Sequence, residues 1–89
     1  MNIKKSAFAG TMESSDAYVE IEPNNSGIKI EVESVVMKQF GENIKKAVNE
    51  VLLENNVENA TVRVVDRGAL ECVIRARVET AILRGREEK

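Results

Sequence analysis

Ala17-Tyr18-Val19-Glu20-Ile21-Glu22-Pro23-Asn24-Asn25-Ser26-Gly27-Ile28-Lys29-Ile30-Glu31-Val32-Glu33-Ser34 contains two strands and the break between them. Ala17, Val19 and Ile21 alternate with Tyr18, Glu20 and Glu22, and Ile28, Ile30 and Val32 alternate with Lys29, Glu31 and Glu33. A period of two places the apolar set on one face and the charged set on the other, which is the pattern of a half-buried strand. Pro23 to Gly27 interrupts it as a turn. Upstream, residues 6–12 suit a further short strand, joined to the next by the polar turn Glu13-Ser14-Ser15-Asp16. Three strands so close in sequence suggest an antiparallel meander as the simplest arrangement.

Downstream the period changes. Ser34 is placed as an N-cap, and Val36, Phe40, Ile44, Ala47, Val48, Val51 and Leu52 follow at steps of three and four. That is the apolar stripe of an amphipathic helix. Gly41 interrupts the stripe, and Asn55-Asn56 ends the helix. Ala60 to Val65 is a fourth strand with Val62 and Val64 facing inward, and Asp66-Arg67-Gly68 is a turn. Residues 69–84 fit both periods: Leu70, Cys72, Ile74, Ala76 and Val78 alternate, while Leu70, Val73, Ile74, Val78, Ala81 and Ile82 recur helically. Length, the Glu71–Arg75 spacing and the helix-forming composition favour a helix, with Gly85 as its stop and residues 86–89 frayed. The expected fold is α+β: a two-layer sandwich, a four-stranded, mainly antiparallel sheet with two helices on one face, in the order βββαβα.

The chain has 89 residues, which suits a single domain, residues 1–89. Aromatics make up 3% of it, so the core is aliphatic. The net charge is −2, which argues against a general nucleic-acid binder. A small RNA-binding domain has in its favour only the arginines of the C-terminal third, and too few aromatics to stack on bases. Charge is uneven: residues 1–36 carry three basic and six acidic groups, residues 60–89 seven and five. Lys4 and Lys5 precede no long apolar run, so neither a signal peptide nor a membrane span is expected and a cytoplasmic location is the default.

Histidine is absent, which removes the usual catalytic base and the commonest metal ligand. No catalytic residue and no metal site are expected. The five glycines are scattered with no phosphate-loop spacing. Cys72 is the single cysteine and, in its apolar stretch, is expected to be a buried, inert thiol. Glu20 and Glu22, beside Tyr18, form a solvated strand face. Arg75 and Arg77 share a face only if their segment is extended. The Ser14-Ser15 turn is, on physical grounds, a hairpin tip of small polar residues. An exposed serine there also suits covalent loading by another enzyme, which needs no base in this chain.

Three blocks carry a family resemblance: Ala9-Gly10-Thr11-Met12-Glu13-Ser14-Ser15-Asp16, Val36-Met37-Lys38-Gln39-Phe40-Gly41, and Asp66 to Glu79. Together they span nearly the whole chain and resemble the acyl carrier (gamma) subunits of citrate lyase, and more distantly the carrier subunits of malonate decarboxylase. The resemblance implies a carrier without activity of its own. It bears 2'-(5''-phosphoribosyl)-3'-dephospho-CoA, joined by a phosphodiester to a serine that falls on Ser14. Members often have glycine where this chain has Ser15. The usual fatty-acid carrier motif, Asp-Ser-Leu at a helix start, is absent. The resemblance further implies a hetero-oligomer with alpha and beta subunits: alpha exchanges acetyl for citryl on the thiol, and beta releases oxaloacetate and restores the acetyl form. A prosthetic-group transferase and an acetylating ligase act on the carrier transiently. Glu13, Ser15 and Asp16 are then candidates for shaping the turn or for recognition by the loading enzyme, and Arg75 and Arg77 for subunit contacts. The alternatives are a malonate decarboxylase or related lyase carrier, and an unmodified adaptor subunit.

Overall fold

The computed structural model describes residues 3–34 and 37–86, with side chains from 3–34 and 41–86. Its elements are β1 (Ala7–Gly10), β2 (Ala17–Glu22), β3 (Ile28–Ser34), α1 (Met37–Glu54), β4 (Ala60–Asp66) and α2 (Glu71–Arg86). This is the expected α+β order. The strands lie as β1-β2-β4-β3. β1 and β4 each run antiparallel to β2, whereas β3 runs parallel to β4. The meander is therefore corrected: β2 and β3 are not neighbours, and β4 lies between them. Parallel neighbours need a crossover, and α1 supplies it between β3 and β4.

The register places Ala9, Val19, Val64 and Val32 in one row and Ala7, Ile21, Val62 and Ile30 in the next, all on one face. Against that face pack Ile44, Val48, Val51 and Leu52 of α1 and Ile74, Val78, Ala81 and Ile82 of α2. Val19, Ile21, Val62 and Val64 are fully buried, each worth roughly 1.5–3 kcal/mol relative to exposure. The other face carries Tyr18, Glu20, Glu22, Lys29, Glu31 and Arg63. There Glu20 accepts from the Tyr18 hydroxyl at 3.1 Å and from Arg63 at 3.3 Å, as a wet face should.

α1 ends as the two asparagines foretold. Asn56 adopts φ 59°, its N–H donates to Leu53 O, and Val57 N–H donates to Leu52 O. This paired closure, with Val57 buried beside Leu52, is a Schellman motif. Ser34, expected as the N-cap of α1, is the last residue of β3, where its hydroxyl donates to Asp66 at 2.8 Å; the link from it to α1 lies outside the described residues. One helix-boundary expectation is corrected. Gly85 lies inside α2 and does not stop it. A Cβ at Gly85 would sit 3.0 Å from Ile3 Cγ2 and 3.2 Å from Lys5 O, so glycine there allows the N-terminal segment to lie against the helix. The Gly85 carbonyl then accepts the Lys4 and Lys5 N–H groups. Arg86 is helical, not frayed, and donates to Asn55 O. The expectations for Val36, the Phe40 side chain and residues 87–89 lie outside the described residues.

Candidate functional site: the β1–β2 tip

Six residues, Thr11 to Asp16, join β1 to β2. Entry into the loop requires glycine. Gly10 has φ 91°, and a Cβ there would fall 1.9 Å from Ala17 O. Asp16 organises the base. Its carboxylate accepts from Thr11 Oγ1 at 2.7 Å and from Ala17 N–H at 2.7 Å. Arg77 of α2 reaches the same carboxylate with two donors, Nε to Oδ1 at 3.1 Å and Nη2 to Oδ2 at 2.9 Å. The Arg77 bonds first, then those from Thr11 and Ala17, hold the Asp16 carboxyl well below the usual range, at about 2.

Backbone bonds complete the frame. Glu13 N–H donates to Thr11 Oγ1 at 3.2 Å, and Asp16 N–H donates to Glu13 O at 3.2 Å. The second of these closes a β-turn whose two central residues are Ser14 and Ser15. Ser15 has φ 67°, and positive φ at the third residue of a turn marks the type II form, which favours glycine there. A second chain segment braces the turn from the side. Ser15 N–H donates to Arg67 O at 2.8 Å, and Arg67 N–H donates to Asp16 O at 2.9 Å. The Asp66-Arg67-Gly68 turn is itself rigid. Asp66, 3% exposed, accepts Gly68 and Ala69 N–H groups at 3.0 and 2.8 Å while also holding Ser34.

Ser14 stands at the apex. It is exposed, and it takes no part in the bonds that hold Glu13, Ser15 and Asp16. Among the described residues the frame is fixed by these bonds, and none of them uses the apical hydroxyl. Of the residues picked from sequence, Asp16 shapes the turn through its side chain, and Glu13 and Ser15 do so through their backbones.

Arg75 and Arg77 separate, as a helix requires. Arg77 serves the tip, whereas Arg75 ties α2 to α1 by pairing with Glu50 and with Glu71 at 3.0 Å. The Arg75 bond holds the Glu50 carboxyl below its usual range. Cys72 is exposed near the start of α2, which corrects its expected burial. Thr11 and Arg67 were not singled out from sequence. Thr11 carried a signal, a hydroxyl five residues before an aspartate across a hairpin loop. Arg67 carried none, because its part is played by backbone groups brought close by strand pairing. Among the described residues no cluster of potential metal ligands occurs, and no helix is long and apolar enough to cross a membrane.

A family model described as "ACP: Malonate decarboxylase delta subunit (MdcD)" matches residues 4–85. Citrate lyase acyl carrier protein 2 of Salmonella typhimurium is 51% identical over 89 residues, covering 99% of this chain and 92% of that one. The citrate lyase acyl carrier protein of Pectobacterium carotovorum is 50% identical over 84 residues, covering 94% and 88%. Among solved structures, a Pseudomonas malonate decarboxylase hetero-tetramer in complex with malonate contains a chain with the same fold. The TM-score is 0.76 at 24% identity, covering 91% of this chain and 84% of that one. The chain belongs to the acyl carrier protein family that this family model describes.

Proposed function

We propose that this chain is the acyl carrier subunit of a citrate lyase, carrying phosphoribosyl-dephospho-CoA on Ser14. One observation supports this most: an exposed serine hydroxyl, outside the hydrogen bonds of its own turn, at the apex of a rigidly braced tip in a member of an acyl carrier family. Relatives at about half identity over nearly their full length are citrate lyase carriers, which favours citrate over malonate as the parent acid.

The residues present fit the group. Loading requires the Ser14 oxygen to displace a leaving group at an activated phosphorus, losing its proton to the loading enzyme and leaving a phosphodiester. A protruding, unhindered hydroxyl is what such a foreign active site needs. Ser15 is the poorer candidate, because its N–H is tied to Arg67 and its position is set by a backbone form that suits glycine. Once bound, the group supplies a thiol that holds the acyl unit as a thioester. The protein supplies position. Asp16, Arg77 and Arg67 hold the base of the tether, so the acyl unit is held at high effective concentration for the subunits that exchange and cleave it. Those subunits, the alpha and beta chains of a cytoplasmic complex, would meet the phosphates with basic residues, and docking would weaken in high salt.

The test is the intact mass of the protein purified from its native host during growth on citrate, followed by fragmentation. The added group on Ser14, lost in Ser14→Ala and kept in Ser15→Ala, supports the proposal. An unmodified native protein refutes it and leaves the adaptor reading.

A further inference from the structure

A hollow of about 510 Å3 opens between the middle of α1 and the start of α2. Its walls are mainly apolar: Ile44, Ala47, Ala69, Leu70 and Ile74, with Gly68 at the edge. Among the described residues, polar groups are few. Asp66 lies in the wall with its carboxylate already bonded to Ser34, Gly68 and Ala69, and Glu71 is held by Arg75. Asn43 contributes a neutral amide. Leu70 is 72% exposed at the start of α2, an unusual place for a large apolar side chain. A volume within roughly 300–1,000 Å3, apolar walls and a few polar groups describe a small-molecule site.

Its position links it to Ser14. The Ser15 N–H bond to Arg67 O and the next peptide bound the distance from Ser14 Cα to Gly68 Cα at about 11 Å. The phosphoribosyl-dephospho-CoA group on Ser14 is longer than that even when partly folded, so its pantetheine end spans the distance to the hollow.

We propose that this hollow is the resting site of the carried arm: the pantetheine segment lies along Ala69, Leu70 and Ile74, and its neutral acetyl thioester enters between Ala47 and Ile44. The inference rests on the carrier reading above. The pantetheine amides match the sparse polar wall, and the charged phosphates stay outside, beside the tip. The hollow also discriminates. Carboxylates buried among apolar walls without partners are strongly disfavoured, so a citryl thioester is excluded. The acetyl arm rests, and the citryl arm remains extended toward the subunit that cleaves it.

The experiment uses carrier protein isolated from the native host, with its load verified by mass. The background is Cys72→Ser, because the exposed Cys72 thiol would otherwise react as well. The deacylated arm thiol is titrated with a disulfide reagent in this protein and in one that also carries Leu70→Glu. Leu70 is exposed, so this change spares the core. An arm docked two-thirds of the time reacts roughly threefold more slowly than a free one, and Leu70→Glu restores the free rate. In parallel, the backbone amide resonances of Ala69, Leu70, Ile74 and Ala47 shift between unloaded and acetyl-loaded protein. Equal rates and unshifted resonances in protein loaded on Ser14 overturn the resting site and leave the carrier function intact. An unloaded Ser14 overturns the carrier reading itself, and mass distinguishes the two failures.

Discussion

Replacing Arg77 with Met keeps the stem that packs near Gly10 and removes both donors to Asp16. The magnitude follows from the carboxyl. Asp16 falls from 3.8 to about 2 in the fold, which corresponds to at most ~2.5 kcal/mol of stabilisation at neutral pH. Only part of that belongs to Arg77, since Thr11 and the Ala17 N–H contribute to the same shift. The Arg77 side chain is also 39% exposed against 15% for Asp16, so solvent screening takes a further share. About 1 kcal/mol is expected from Arg77→Met at pH 7, a shift of roughly 4–8 °C in Tm for a domain of this size. The sign is definite. A carboxyl whose folded pKa is depressed stabilises the fold above its unfolded pKa, and this contribution is lost as pH falls through the folded one. The gap between wild type and Arg77→Met is therefore full above pH ~4 and closes as pH falls towards about 2. Urea titrations at pH 7, 5, 3 and 2 measure it. A gap that persists undiminished at pH 2, or that is absent at pH 7, refutes the claim that this ion pair holds the tip.

Ser15→Gly relieves a left-handed residue at φ 67° and raises stability by up to ~1 kcal/mol, whereas Ser15→Val lowers it; thermal melts of both decide the matter. Gly10→Ala forces a Cβ to 1.9 Å from Ala17 O at positive φ, and the unfolding free energy from urea titration is expected to fall by at least ~2 kcal/mol with loss of tip order. Asp66→Ala leaves the Gly68 and Ala69 N–H groups and the Ser34 hydroxyl without their acceptor. It costs ~1–3 kcal/mol and increases hydrogen exchange at the tip that Arg67 braces, beyond that of other loops. Arg75→Ala removes bonds to half-exposed carboxylates, so it lowers the urea midpoint less than Arg77→Met does, and the difference from wild type shrinks in high salt.

Sequence periodicity located β2, β3, β4 and α1, because burial on one face leaves a period that survives in the residues, while turn residues marked β1 and length and composition decided α2. Position 34 and positions 69–85 show its limits. Ser34 ends β3, and its hydroxyl donates to Asp66, a partner 32 residues away that local pattern cannot supply. Over 70–78 the two periods predict different inward sets. Ile74 and Val78 are buried while Cys72 and Ala76 are exposed, the outcome of a helix, and Leu70, inward in both patterns, is exposed ahead of the first turn. The same geometry exposes Cys72, which a reading by apolar neighbourhood alone had put inside. Strand adjacency was the real blind spot. β3 alternates equally well beside β2 or beside β4, since a period of two specifies a face and not a neighbour.

That adjacency is what builds the site. With β4 paired antiparallel to β2, Asp66 at the end of β4 lies opposite Ala17 at the start of β2. The turn after β4 must then emerge beside the loop before β2, and Arg67 meets Ser15 and Asp16 through backbone groups alone. In a meander, β3 would occupy that edge and its own last residue, Ser34, would lie beside the β2 start, so the chain leaving β3, and not the Asp66-Arg67-Gly68 turn, would emerge beside the tip. The crossover through α1 thus does more than close a core. It brings a rigid, aspartate-bonded turn to a six-residue loop that would otherwise be held from one side only, by Arg77. A carrier needs a tether whose origin does not wander and whose hydroxyl is unencumbered. The mixed sheet meets both demands by bonding the residues on either side of Ser14 and not Ser14 itself.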